Sequence, residues 1–132
     1  PALLRKFHSA VVENKPSVEI WGTGSPLREF MHVDDLADAC LYLMLNYDGK
    51  LFVNAGTGVD VSIRELAEIV KRVTGFQGEL LFDTSKPDGT PRKLMDVSRL
   101  NDMGWKHKID LEDGVRMVYE EVKQSDLFSI SA

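Results

Sequence analysis

One segment states its own secondary structure at both ends. Ser62 followed by Glu65 is a capping-box pair, and Ile63, Leu66, Val70 and Val73 fall on one helical face. Gly75 stands where a left-handed C-terminal cap belongs. Short apolar runs flank this helix, Leu51-Phe52-Val53-Asn54 before it and Glu79-Leu80-Leu81-Phe82 after it. Each is too short for a helix and reads as a strand. Strand, turn, helix and strand in that order predict an α/β domain, with short strands packed on helices.

The rest of the chain extends this pattern. Leu3, Leu4, Phe7, Ala10 and Val11 recur at helical spacing and predict a helix over 2–14, stopped by Pro16. Val18 to Trp21 alternates like a strand, runs into the turn Gly22-Thr23-Gly24-Ser25-Pro26, and is followed by a second strand over 28–33. Asp34 is then placed to cap a helix over 35–47, which is apolar on nearly every face after Asp38 and so needs partners on several sides. A polar stretch from Asp83 to Lys93 holds Pro87-Asp88-Gly89 and Pro91, the longest irregular segment. A short helix over 98–103 and a last helix from about Asp110 bring the count to about four to five. Residues 1–125 make one domain on this reading, with 126–132 a frayed tail.

Composition narrows the function. The net charge of −5 and the absence of a basic run argue against nucleic-acid binding, because neutralising phosphates along a strand needs a basic stripe. No apolar run approaches the roughly 18 residues of a bilayer span, so no membrane role is expected. The single cysteine, Cys40, cannot form an internal disulfide, and no Cys/His spacing suits zinc. With no secretory signal pattern in the first residues, these features predict a cytoplasmic protein.

The glycine turns Gly22 to Leu27 and Gly56 to Val61 both fail the dinucleotide fingerprint at its sixth position, and a P-loop lysine is absent. Each reads first as a plain turn. His32 beside Asp34 and Asp35 could serve acid–base chemistry, but a strand residue next to a helix cap explains it more simply. Trp21 is either a core aromatic or a plate for a base or sugar. Arg28 either pairs with Glu29 or Asp34 or donates to a phosphate, and Arg92 and Lys93 share that ambiguity.

Taken together, the runs Trp21-Gly22-Thr23-Gly24, Arg28-Glu29-Phe30-Met31-His32-Val33-Asp34-Asp35-Leu36-Ala37 and Asn54-Ala55-Gly56-Thr57-Gly58 resemble the C-terminal part of the extended short-chain dehydrogenase/reductases that act on nucleotide sugars. Asp96-Val97-Ser98-Arg99-Leu100 and Leu111-Glu112-Asp113-Gly114 fit the same pattern. Pro1 to His8 and the run Phe82 to Lys93 are more specific, and are similar to the GDP-L-fucose synthase family. The resemblance covers about residues 1–125. It implies a small C-terminal substrate domain without its N-terminal Rossmann domain, which in the family carries the NADPH site, the Ser/Tyr/Lys set and the epimerising Cys and His. No catalytic residue and no cofactor would then lie in this chain, and Cys40 is not the family's catalytic cysteine.

What the resemblance carries over is a GDP-sugar site of Lys6, Trp21, Arg28 and Lys93. Lys6 stands where an arginine is usual, and Glu79 where some relatives have one; neither offers the planar fork of a guanidinium. Another nucleotide-sugar epimerase or dehydratase, and a stand-alone binding or oligomerisation module, remain as alternatives. The apolar helix over 35–47 is expected to self-associate when the dinucleotide-binding domain does not cover it.

Overall fold

The computed structural model describes residues 2–125; the expected tail at 126–132 lies outside them. It has five helices and five short strands among these residues: α1 (Ala2–Val12), β1 (Ser17–Trp21), β2 (Leu27–Glu29), α2 (Val33–Asn46), β3 (Asp60–Ser62), α3 (Ile63–Thr74), β4 (Glu79–Asp83), β5 (Arg92–Lys93), α4 (Ser98–Asp102) and α5 (Leu111–Val122). The α/β class and the helix count match the sequence reading. The strands form two small sheets, a parallel pair β1–β4 and a three-stranded sheet in the order β3–β2–β5.

The self-declared helix forms as its signals require. In α3 the Ser62 hydroxyl accepts the Glu65 N–H at 3.0 Å, and the Glu65 carboxylate accepts the Ser62 N–H at 2.7 Å. The carboxyl of Glu65 is held below its ordinary pKa, first by that backbone donor. Gly75 closes the helix at φ 74°, the left-handed region that costs a residue with a Cβ.

Two apolar clusters hold the molecule. In the first, Phe7 of α1, Val18 and Ile20 of β1, Ala67 and Val70 of α3, Phe76 and Tyr119 of α5 pack together. The Phe7 and Phe76 rings meet edge-on at 5.5 Å. This cluster lies under the β1–β4 pair. The second is smaller: Ala39 of α2, Leu100 of α4 and Trp105. It is reinforced by Asp35, 3% exposed, whose carboxylate accepts the backbone N–H groups of Lys108 (3.1 Å) and Ile109 (2.9 Å). Trp105 donates its indole N–H to Asp38 at 2.8 Å, which draws the Asp38 pKa down.

Four expectations are corrected. The cap of α2 is His32, not Asp34: Nδ1 of His32 accepts the Asp34 N–H at 3.2 Å, so the helix starts earlier and Asp34 sits in its first turn. The strand foreseen over 28–33 is confined to Leu27–Glu29, because the chain turns into α2 after it. Leu51–Asn54 forms no strand. A strand exists only beside a partner, and the Leu51 and Phe52 carbonyls are taken instead by the Tyr47 hydroxyl and the Arg99 guanidinium. Finally, the turns carry two strands the sequence reading lacked, β3 and β5.

The apolar helix keeps much of its surface bare. Only Asp35 and Ala39 of α2 are buried, while Met44 is 80% and Leu45 76% exposed, with Leu36, Leu41, Leu51 and Phe52 also exposed. Among the described residues no helix is long and apolar enough to cross a membrane.

Candidate functional site

The residues singled out by sequence come together through the two short strands. In the parallel β2–β5 pair Arg28 stands directly opposite Lys93, so their side chains rise from the same face. Opposite β2 on its other edge, Asp60 of β3 takes the third cation: the Arg92 Nε donates to the Asp60 carboxylate at 2.5 Å. That hydrogen bond holds the Asp60 carboxyl below its ordinary pKa. The two basic neighbours are thereby sorted. Arg92 is committed to fastening the sheet, whereas Lys93 and Arg28 take part in no ion pair among the described residues.

Among the described residues, neither acid that could have neutralised Arg28 pairs with it. Glu29 accepts the Gly58 N–H at 2.7 Å and the Met95 N–H at 3.1 Å, and Asp34 sits in the first turn of α2 with its side chain exposed. Arg28 uses Nη1 on the Leu27 carbonyl at 2.6 Å, which leaves the rest of its donor fork free. Two adjacent uncompensated cations repel, and a bound anion relieves that repulsion. Chemically, such an arrangement suits a multiply charged anion.

Trp21 ends β1 with 66% of its surface exposed, so it is not a core aromatic. Its neighbours are polar. Lys86 places Nζ 5.7 Å from the centre of the Trp21 ring, and Arg64 lies 3.7 Å above Phe82 while donating to the Thr23 carbonyl at 3.1 Å. Sequence reading missed Lys86 and Arg64, because nothing local distinguishes a lysine or arginine near an aromatic only in three dimensions. Lys6 stands apart from the other predicted residues. It projects from α1 to β1 and donates Nζ to the Glu19 carbonyl at 2.7 Å, two residues before Trp21. Glu79 lies at the far end of the β1–β4 pair, opposite Ser17, whereas Trp21 faces Asp83. It is roughly 13 Å along the strand from Asp83 at 3.3 Å per residue, and so does not oppose an anion near Trp21.

The glycine turns do not fit a dinucleotide cofactor. A phosphate cradle needs open space over its glycines. Here a Cβ at Gly22 would overlap Asp88, at Gly24 Phe82, at Gly56 Glu29 and at Gly58 Val97. These glycines admit the protein's own side chains. Nor is there, among the described residues, a cluster of three or more His, Cys, Asp or Glu that could hold a metal.

Comparison with known proteins shows what the chain is similar to. Residues 1–56 match the NAD dependent epimerase/dehydratase family. Across 120 residues the chain is 61% identical to putative GDP-L-fucose synthase 2 of Arabidopsis thaliana, which covers 91% of this chain and 37% of that protein. Over nine tenths of its length the chain is similar to GDP-L-fucose synthases. It spans somewhat over a third of the length of the curated family members it matches. Among solved structures, a GDP-mannoheptose C4 reductase from Campylobacter jejuni with NADP bound superposes with a TM-score of 0.80 at 51% identity, covering 91% of this chain and 43% of that one. A GDP-L-fucose synthetase from Naegleria fowleri bound to NADP gives 0.84 at 26% identity, covering 91% and 38%. Members of the GDP-L-fucose synthase family and their structural neighbours thus share this α/β unit while their names differ in the sugar.

Proposed function

We propose that this chain is the GDP-sugar-binding part of an NADPH-dependent 3,5-epimerase/4-reductase that makes GDP-L-fucose from GDP-4-keto-6-deoxy-D-mannose. The observation that carries the reading is the register pairing of Arg28 with Lys93, neither in an ion pair among the described residues, together with an exposed Trp21 at the end of β1. A diphosphate matches two adjacent cations in charge, and a guanidinium fork matches its oxygens in shape. Trp21 offers a flat apolar face for the base or sugar. Lys6 joins the site by releasing the Glu19 carbonyl.

NADPH and the residues that move protons and hydride belong, on this reading, to a dinucleotide-binding domain outside the described residues. Residues 2–125 bind and orient the nucleotide and are catalytically incomplete alone. The Arabidopsis and Campylobacter relatives named above share GDP and differ in the sugar, which supports the nucleotide half of the reading independently of the sugar. A reducing cytoplasm suits the lone, exposed thiol of Cys40.

Arg28→Ala should weaken GDP binding by about 1.5–3 kcal/mol, the scale of hydrogen bonds to a charged partner. Calorimetric titration measures it. An affinity unchanged by the substitution would return Arg28 to the surface and remove the site.

The bare face of α2, with Leu36, Leu41, Met44 and Leu45 beside Leu51 and Phe52, is where the dinucleotide-binding domain would rest. Without that domain, a second copy of this chain should cover it, since contiguous apolar surface promotes association. Sedimentation over a range of concentrations should therefore show a dimer or larger species that Leu41→Glu with Met44→Glu returns to a monomer. A wild-type monomer at every concentration would contradict this.

A further inference from the structure

The loop from Thr84 to Pro91 crosses the candidate site, and one side chain ties it down. Asp88 accepts the Thr23 N–H at 2.9 Å and the Thr23 hydroxyl at 2.7 Å. Among the described residues, these are the only hydrogen bonds linking the loop to the rest of the chain between the Lys86 N–H, which closes a turn on Asp83, and the Pro91 carbonyl, which accepts from Leu27. The fit at the contact is close. Gly22, at φ 81°, has no room for a Cβ because the Asp88 carboxylate fills that space, and a Cβ at Gly89 would come within 3.1 Å of Nη2 of Arg28. Asp88 and Gly89 therefore lie between the Trp21 turn and Arg28, while Lys86, two residues earlier, reaches the Trp21 ring.

A carboxylate beside a diphosphate site is unfavourable on charge alone. Its presence there requires a compensating role, and both of its oxygens are engaged by Thr23. Resting on the reading of Trp21, Arg28 and Lys93 as the nucleotide site, we propose that Asp88 is a positioning residue. It latches residues 84–91 across the site, so that Lys86 is held over Trp21 and β5 delivers Lys93 alongside Arg28. Without the latch the loop samples other positions, and the apparent affinity falls in proportion to the time it spends in the competent one.

Charge and latching predict opposite signs. Removing the carboxylate relieves repulsion and strengthens binding if Asp88 acts only as a charge, but weakens binding if it is a latch. Asparagine separates the two, since its amide oxygen still accepts the Thr23 N–H and its amino group donates to the Thr23 hydroxyl. The experiment measures GDP affinity of the 132-residue chain for wild type, Asp88→Ala, Asp88→Asn and Arg28→Ala, together with amide exchange over 84–91. Asp88→Ala should bind GDP about tenfold more weakly, as the loss of a hydrogen-bonded charged group implies, with faster exchange confined to the loop and the rest of the fold retained. Asp88→Asn should match or exceed wild type. Tighter or equal binding by Asp88→Ala, with Arg28→Ala still weakened, would overturn the latch and leave the site standing. Binding untouched by Arg28→Ala, or no GDP binding by wild type, would overturn the site and the latch together.

Discussion

Replacing Phe7 with alanine should remove about 3–5 kcal/mol of stability, the range for deleting a fully buried phenylalanine. Phe7 has no exposed surface, meets Phe76 edge-on, and sits among β1, α3 and α5. Against a total stability of about 5–15 kcal/mol for a domain, such a loss leaves little. Because β1 carries Trp21 at its end, GDP binding should disappear with the fold and not before it. Denaturant unfolding with parallel GDP titration would show both. A loss under about 1 kcal/mol would mean that the first cluster is not what organises the molecule.

The second cluster gives a different expectation. Asp35→Ala should cost about 2–4 kcal/mol, because it strands the backbone donors of Lys108 and Ile109 that one buried carboxylate now satisfies, at about 1–3 kcal/mol for each unsatisfied group. The loss should be local at first, since α2 is fastened mainly through Asp35, the Trp105–Asp38 hydrogen bond and the Ala39–Leu100–Trp105 cluster. Hydrogen exchange should rise across α2 and 105–109. At temperatures where the chain remains folded, GDP affinity should hold, because Trp21, Arg28 and Lys93 stand on the sheets and not on this cluster. Loss of GDP binding in parallel with the exchange change would show instead that the two clusters act as one unit.

The contrast between these clusters explains what could be read from the sequence. Helix α3 was legible because its start and stop are written within fourteen residues, Ser62 through Gly75. The β1 strand was legible from its alternation, with Val18 and Ile20 buried and Glu19 and Trp21 exposed, and β4 from its short apolar run Leu80-Leu81-Phe82. Strands β3 and β5 were not: two or three residues are too few to show a periodicity, and their pairing is set by contacts made across the fold, such as the Leu27 N–H on the Pro91 carbonyl. The run Leu51–Asn54 failed for the opposite reason, having the composition of a strand but no partner beside it among the described residues.

The site divides along the same line. Resemblance pointed to Trp21, Arg28, Lys93 and Lys6 as individual residues, and sequence alone could not choose between Arg92 and Lys93. That choice depended on Asp60, which is 32 positions from Arg92. Asp88 was visible only as part of a turn, because Thr23 lies 65 residues away. His32 was misjudged by two positions: its own ring, not the Asp34 carboxylate, supplies the helix cap. Local signals report local structure, and the cations and the latch are brought together by the two small sheets.

The central claim, that Trp21, Arg28 and Lys93 form one GDP site, is tested most directly by a chemical-shift titration of the chain with GDP. The account predicts concerted changes at the Trp21 indole N–H, at Arg28 and Lys93, and along 84–91, saturating with a single affinity, while α2 and α4 stay still. Shifts that scatter over unrelated surfaces, or that gather at the α2 face with Trp21 and Lys93 silent, would contradict it.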